Sequence, residues 1–137
     1  MLGISSKTIY AVAALEELSH LDENEVLKIK EIAANANIPQ NFLEQILLEL
    51  KKQGLLTSTK GAHGGYKLAK ALKDITLKDV VSILESDIFS TECKTDNAGL
   101  KLFWNAFKEE ATKPFDIPLS ELKEYQLQAS NTLNYHI

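Results

Sequence analysis

Apolar residues recur at helical spacing along much of the chain, broken by turn residues at regular points. Over residues 6–20, Tyr10, Ala14, Leu15 and Leu18 share one face, with Ser5 or Ser6 as the cap, and LDENE ends the pattern. A short stretch at residues 26–29 leads into KEIAANAN, a helix of about two turns. Asn37 and Ile38 supply a turn. Pro39 opens the next helix, whose Leu43, Ile46, Leu47 and Leu50 follow helical spacing until Gly54 stops it. Immediately afterwards comes GLLTSTKGAHGGYKLA, in which residues 55–59 and 66–69 read as strands around the loop KGAHGG. Gly61, Gly64 and Gly65 mark a tight reversal of the chain.

The order helix, turn, helix, hairpin is that of a winged helix-turn-helix. The second helix of such a unit enters the major groove of DNA, and a basic hairpin beside it reaches phosphates and the minor groove. Beyond the hairpin, Thr76 with Asp79 three residues later starts TLKDVVSILES as a capping box, with Leu77, Val80, Val81 and Leu84 inward. Residues 87–97 read as a polar loop. A helix over residues 98–111 then carries Leu100, Phe103, Trp104, Phe107 and Ala111 on one stripe, with Leu102 and Ala106 beside it. That stripe is wider than one small core needs. The surplus predicts a partner helix from a second copy of the chain, although the same stripe would also serve an intramolecular core. LSELKEYQL adds a short final helix, and NTLNYHI has no legible pattern. The expected fold class is mainly α with a small β-hairpin: a winged helix-turn-helix over residues 1–73, then a helical linker and dimerisation region over 74–137.

Composition agrees with a soluble globular chain. With 137 residues, 45% of them hydrophobic and 25% charged, one domain or a small domain with a helical extension can bury its core without staples. No segment reaches the roughly 18 apolar residues that span a bilayer. The start, MLGISSKTIYAVAALEEL, lacks a signal-peptide cleavage pattern, and the single cysteine, Cys93, allows no internal disulfide. Both features fit a cytoplasmic protein without membrane contact.

Charge changes the picture more. The net charge of −4 would count against nucleic acid, but Lys51, Lys52, Lys60, Lys67, Lys70 and Lys73 follow one another between residues 50 and 73 with no acid among them. From Asp74 onward, eleven acids face six lysines. Positive charge is therefore gathered around the hairpin. All fifteen basic residues are lysine, so the planar fork of arginine is missing. KGAHGG is not a phosphate-cradling P-loop, because GxxxxGK[ST] is absent and a strand follows it; a plain hairpin remains its simplest alternative.

The stretch IPQNFLEQILLELKKQGLLTSTKGAHGGYKLA resembles the helix-turn-helix and wing of the BadM/IscR-like transcription regulators. A weaker likeness extends from SSKTIYAVAALEEL through DITLKDVVSILE to the tryptophan-bearing helix; FLEQIL and GGYKLA, in order and at this spacing, carry it. The resemblance implies a dimeric bacterial repressor or activator, in a family many of whose members sense iron-sulfur status, nitric oxide or cysteine supply. It assigns base reading to Gln40, Asn41, Glu44 and Gln45. Asn and Gln can bind adenine in a bidentate manner, and Glu can accept from the cytosine amino group. Lys60 stands where the family's wing has an arginine, His63 lies within the turn, and Lys51 and Lys67 complete the DNA-binding set. Leu100, Phe103, Trp104 and Phe107 are the dimerisation residues.

The sequence departs from that family at residues 90–104, STECKTDNAGLKLFW, where cluster-binding members carry three cysteines in a longer loop. Only Cys93 is present, and His20, His63 and His136 are remote from it in sequence, so the chain is expected to be a cluster-free member without metal or other cofactor. Cys93 is then a free thiol or a sensor. No motif links a histidine to it as a nucleophile needs, and no enzyme is expected. The expectation is a homodimeric repressor acting on a palindromic operator in double-stranded DNA, answering to a small-molecule or protein effector. The rival from another class is a winged-helix protein-interaction module that uses the solvated face of the second helix as its epitope.

Overall fold

The computed structural model describes residues 3–86, 88–90 and 94–135. Its helices are α1 (Ser6–Leu18), α2 (Ile29–Ala36), α3 (Gln40–Lys52), α4 (Leu77–Leu84), α5 (Ala98–Thr112) and α6 (Leu122–Tyr135), with strands β1 (Leu56–Thr59) and β2 (Gly65–Leu68) between α3 and α4. The predicted class, mainly helical with one hairpin, is the observed one.

The first three helices meet because each presents an apolar stripe. Ala11, Ala14, Leu15 and Leu18 of α1, Ile32 of α2 and Leu43, Ile46, Leu47 and Leu50 of α3 form one buried cluster. Leu55 and Leu56 join it from the start of the hairpin, as do Ile75 and Val80, so residues on both sides of position 73 share the core. Tyr10, expected to point inward, is only half-buried and leans on Phe42 with ring centroids 6.2 Å apart. Thr8 takes a buried place instead, which a helical count of apolar residues passes over.

The hairpin begins one residue later than expected. Leu55 completes the end of α3: its N–H donates to Leu50 O at 3.0 Å while that of Gly54, at φ 80°, donates to Lys51 O at 3.0 Å, a Schellman closure. The strands pair antiparallel in the register Leu56 with Leu68 and Thr59 with Gly65. Leu27 forms a further bridge to Tyr66, through N–H donation to Tyr66 O at 3.0 Å and acceptance from Tyr66 N at 2.7 Å. The short stretch before α2 therefore lies against β2.

α4 starts as its sequence predicts, with Asp79 N donating to Thr76 Oγ1 at 3.1 Å and Thr76 N donating to Asp79 Oδ2 at 2.9 Å. The last helix is longer than LSELKEYQL, running through Tyr135. Its approach is anchored where Leu119 N donates to Ile75 O at 2.8 Å and Leu119 itself is buried.

α1 and α4 are tied by a carboxylate. Ser5 occupies the N-cap of α1 but makes no cap bond with its side chain. Its N–H and its hydroxyl both donate to Glu85 Oε1 at 2.7 Å, and Thr8 Oγ1 donates to the same oxygen at 2.9 Å. The Ser5 hydroxyl and N–H, then Thr8 and the Lys7 charge, hold the Glu85 carboxyl below its ordinary range against the opposing effect of desolvation. A group with a depressed folded pKa stabilises above its unfolded value, roughly 4.3 for glutamate, and that contribution is lost as pH falls through the lower folded value. Glu85→Gln should therefore lower the urea midpoint at neutral pH and matter much less in acid. An equal loss at both pH values would show that the carboxylate charge is not the source.

Candidate nucleic-acid interface

The turn between α2 and α3 sets the direction of α3. Asn37 caps α2 in the left-handed region at φ 54°, a conformation asparagine tolerates, and Ile38 N donates back to Ala33 O at 2.9 Å while its side chain is buried. Lys28 N donates to Glu31 Oε1 at 3.0 Å, fixing the other end of α2. With its four apolar residues in the core, α3 turns the opposite side to solvent.

That side brings four predicted positions together. Gln40, Asn41, Glu44 and Gln45 are all exposed, and Lys51 and Lys52 continue the surface one to two turns later. Their amides, carboxylate and ammonium groups can donate to and accept from base edges and phosphates. Leu48 lies on the same side at 48% exposure, and Phe42 flanks it at 50%. Sequence reasoning that counts apolar residues as core overlooks both. The cue was the helical period: Leu43, Ile46, Leu47 and Leu50 define one stripe, and Leu48, about 100° beyond Leu47 and away from Ile46, falls outside it.

The wing carries Lys60, Ala62 and His63 exposed at its tip, where Gly64 N donates to Gly61 O at 3.0 Å. The glycine pair has a steric cause. A Cβ on Gly64 would lie 2.1 Å from Thr59 O, and one on Gly65 would lie 2.5 Å from Leu27 O. These glycines admit close backbone passage at the hairpin neck and at the Leu27 bridge. Lys67 sits differently from Lys60. It is half-buried opposite Thr57 and borders a groove of about 460 Å³ whose rim also carries Asp22, Glu23 and Lys70.

On α5, Leu100, Phe103, Trp104 and Phe107 are 42%, 59%, 41% and 57% exposed. Trp104 meets Phe103 at 5.2 Å and Phe107 at 5.9 Å between ring centroids, both edge-on. No residue of α5 is buried, so the stripe is not the intramolecular core that its pattern also allowed. Cys93 and His136 lie outside the described residues. His20 Nε2 is 2.9 Å from Glu16 Oε1 at the end of α1, and among the described residues no three His, Cys, Asp or Glu side chains gather as metal ligands would.

A helix-turn-helix with an outward polar face and a flanking β-hairpin is the architecture of winged-helix transcription regulators. A family model described as "Rrf2: Iron-dependent Transcriptional regulator" matches residues 4–113, and the chain belongs to the Rrf2 family. Protein rrf2 of Nitratidesulfovibrio vulgaris is 35% identical over 96 residues, covering 70% of this chain but 64% of that protein, less than two thirds of its length. The HTH-type transcriptional regulator CymR of Bacillus subtilis is 30% identical over 126 residues, covering 90% of this chain and 91% of CymR. The solved structure of that CymR, titled the global cysteine regulator of B. subtilis, has a TM-score of 0.76 over 91% of this chain and 98% of its own, at 31% identity. The T. potens IscR structure has a TM-score of 0.73 at 30% identity, over 93% of this chain and 90% of its own. No described helix of this chain is long and apolar enough to cross a membrane.

Proposed function

We propose that this chain is a DNA-binding repressor that acts as a homodimer on a palindromic operator. The observation that carries this function is the face of α3: Gln40, Asn41, Glu44 and Gln45 stand exposed together because Leu43, Ile46, Leu47 and Leu50 hold the opposite face in the core. Asn and Gln supply bidentate contacts to adenine and Glu an acceptor for cytosine. Lys51, Lys60 and His63 are exposed on the same helix and on the wing, where cations meet phosphates; Lys67 is half-buried and less available to them. Two copies joined through the α5 stripe place two such faces on one duplex, as a two-fold operator requires.

The family description raises an iron centre. The donors do not fit one: the chain has a single cysteine, His20 is paired with Glu16, and His63 is at the wing tip. Even a dimer has only two thiols, and iron-sulfur clusters are held by about four ligands, mostly thiolates. We therefore extend the proposal to a cluster-free regulator. A small molecule or partner protein supplies its signal, or oxidation of Cys93 does.

Selection of bound fragments from the source genome, followed by affinity against salt, tests the function. A palindrome should be recovered and binding should fall steeply with salt; a protein-interaction module would return neither. Lys60→Ala should weaken binding to all sequences and reduce the salt slope by about one, since a phosphate contact has no base preference. Asn41→Ala or Glu44→Ala should instead relax preference at particular base pairs, at a cost of about 1–3 kcal/mol. Unaltered preferences in a randomised-site selection would remove these residues from base reading.

Phe103→Glu places a charge in the α5 stripe without touching the core. Sedimentation should change from dimer to monomer, and operator affinity should drop because two half-sites no longer act together. A wild-type protein that sediments as a monomer at high concentration would defeat the dimer. Purified without oxygen, the wild type should be colourless and its DNA binding indifferent to chelator; visible absorbance with stoichiometric iron and sulfide would overturn the cluster-free assignment.

A further inference from the structure

We infer that Leu48 reads the methyl group of a thymine, as a specificity-determining residue in the middle of the α3 face. The inference rests on the DNA-binding function proposed above. Leu47 is fully buried, whereas Leu48, one position on, is 48% exposed. It follows Gln45 by three residues and Asn41 by seven, and therefore shares their side of the helix. At 1.5 Å per residue it stands about 10 Å beyond Asn41 along the axis, the rise of roughly three base pairs. Lys51 and Lys52 are exposed one turn further on, where they can bracket it with phosphate contacts.

A single exposed leucine is ordinary on a protein surface. Its setting here is what points to a ligand. The positions around it on the outward side are amides, a carboxylate and two ammonium groups, all suited to hydrogen bonding with DNA. An isobutyl group has no donor or acceptor. Among the groups that base pairs present in the major groove, the one that rewards such a side chain is the thymine C5 methyl, and apolar contact with it is a recognised mode of readout. At other pairs Leu48 would cover base donors and acceptors without replacing their water, which penalises the wrong sequence as well as favouring the right one. Phe42 is in a different position, because its ring leans on Tyr10 across the seam between α1 and α3.

The test uses the full chain and the operator recovered by selection, with deoxyuridine replacing each thymine of one half-site in turn. Uracil keeps the pairing edge and deletes only the methyl. The wild type should lose about fourfold in affinity at one thymine, the equivalent of one methyl returned to water. Leu48→Ala, at a solvent-exposed site, should keep the wild-type melting temperature and salt slope yet bind thymine and uracil operators equally at that pair. A uracil effect that persists in Leu48→Ala, or no uracil effect at any position, overturns the inference while leaving sequence-specific DNA binding intact. Absence of any specific DNA binding by the wild type overturns both.

Discussion

The outward polar face of α3 depends on the burial of its other side. Leu43, Ile46, Leu47 and Leu50 have at most 1% of their surface in contact with water. Each such side chain is worth about 1.5–3 kcal/mol of burial, so a rotation of the helix that released even two of them would cost a large part of an ordinary folding free energy. The polar face is thus fixed by what lies behind it. Its amides and carboxylate need no bonds of their own to stay in place, and remain open to an outside partner.

The same economy governs the wing. Two strands of four residues would be marginal by themselves, yet Leu27 lends β2 a third segment through its bridge to Tyr66. Closeness of backbones at the hairpin neck and at that bridge is what excludes side chains at Gly64 and Gly65. The wing is therefore joined to the residues immediately before α2, and α3 and the hairpin are parts of one frame.

Much of that frame was legible in the sequence, for physical reasons. The inner residues of α3, the Thr76–Asp79 capping box and the turn at Asn37 and Ile38 are local patterns, in which the deciding partners lie within a few positions. The face formed by Gln40, Asn41, Glu44 and Gln45 followed from the same period. What escaped was nonlocal or against type. Ser5 has the chemistry of a helix cap, but its hydroxyl is taken by Glu85, eighty residues away. The buried Thr8 hydroxyl is satisfied by donating to Glu85, which no hydropathy count weighs. Leu48 was hidden by its own apolarity, and the full length of α6 by a polar sequence with little periodicity. That Lys67 lines one groove with Asp22 and Glu23 required the tertiary fold.

The link from Ser5 and Thr8 to Glu85 also bears on how the chain is made. Synthesis runs from the N-terminus at about 5–20 residues per second, so α1, α2, α3 and the hairpin all leave the ribosome before Glu85 does. Until then Ser5 and Thr8 lack the acceptor that they share in the folded chain. Arrival of the end of α4 closes a loop of some eighty residues, at an entropic cost that grows only logarithmically with its length, and joins it to the start of α1 through three hydrogen bonds to one oxygen.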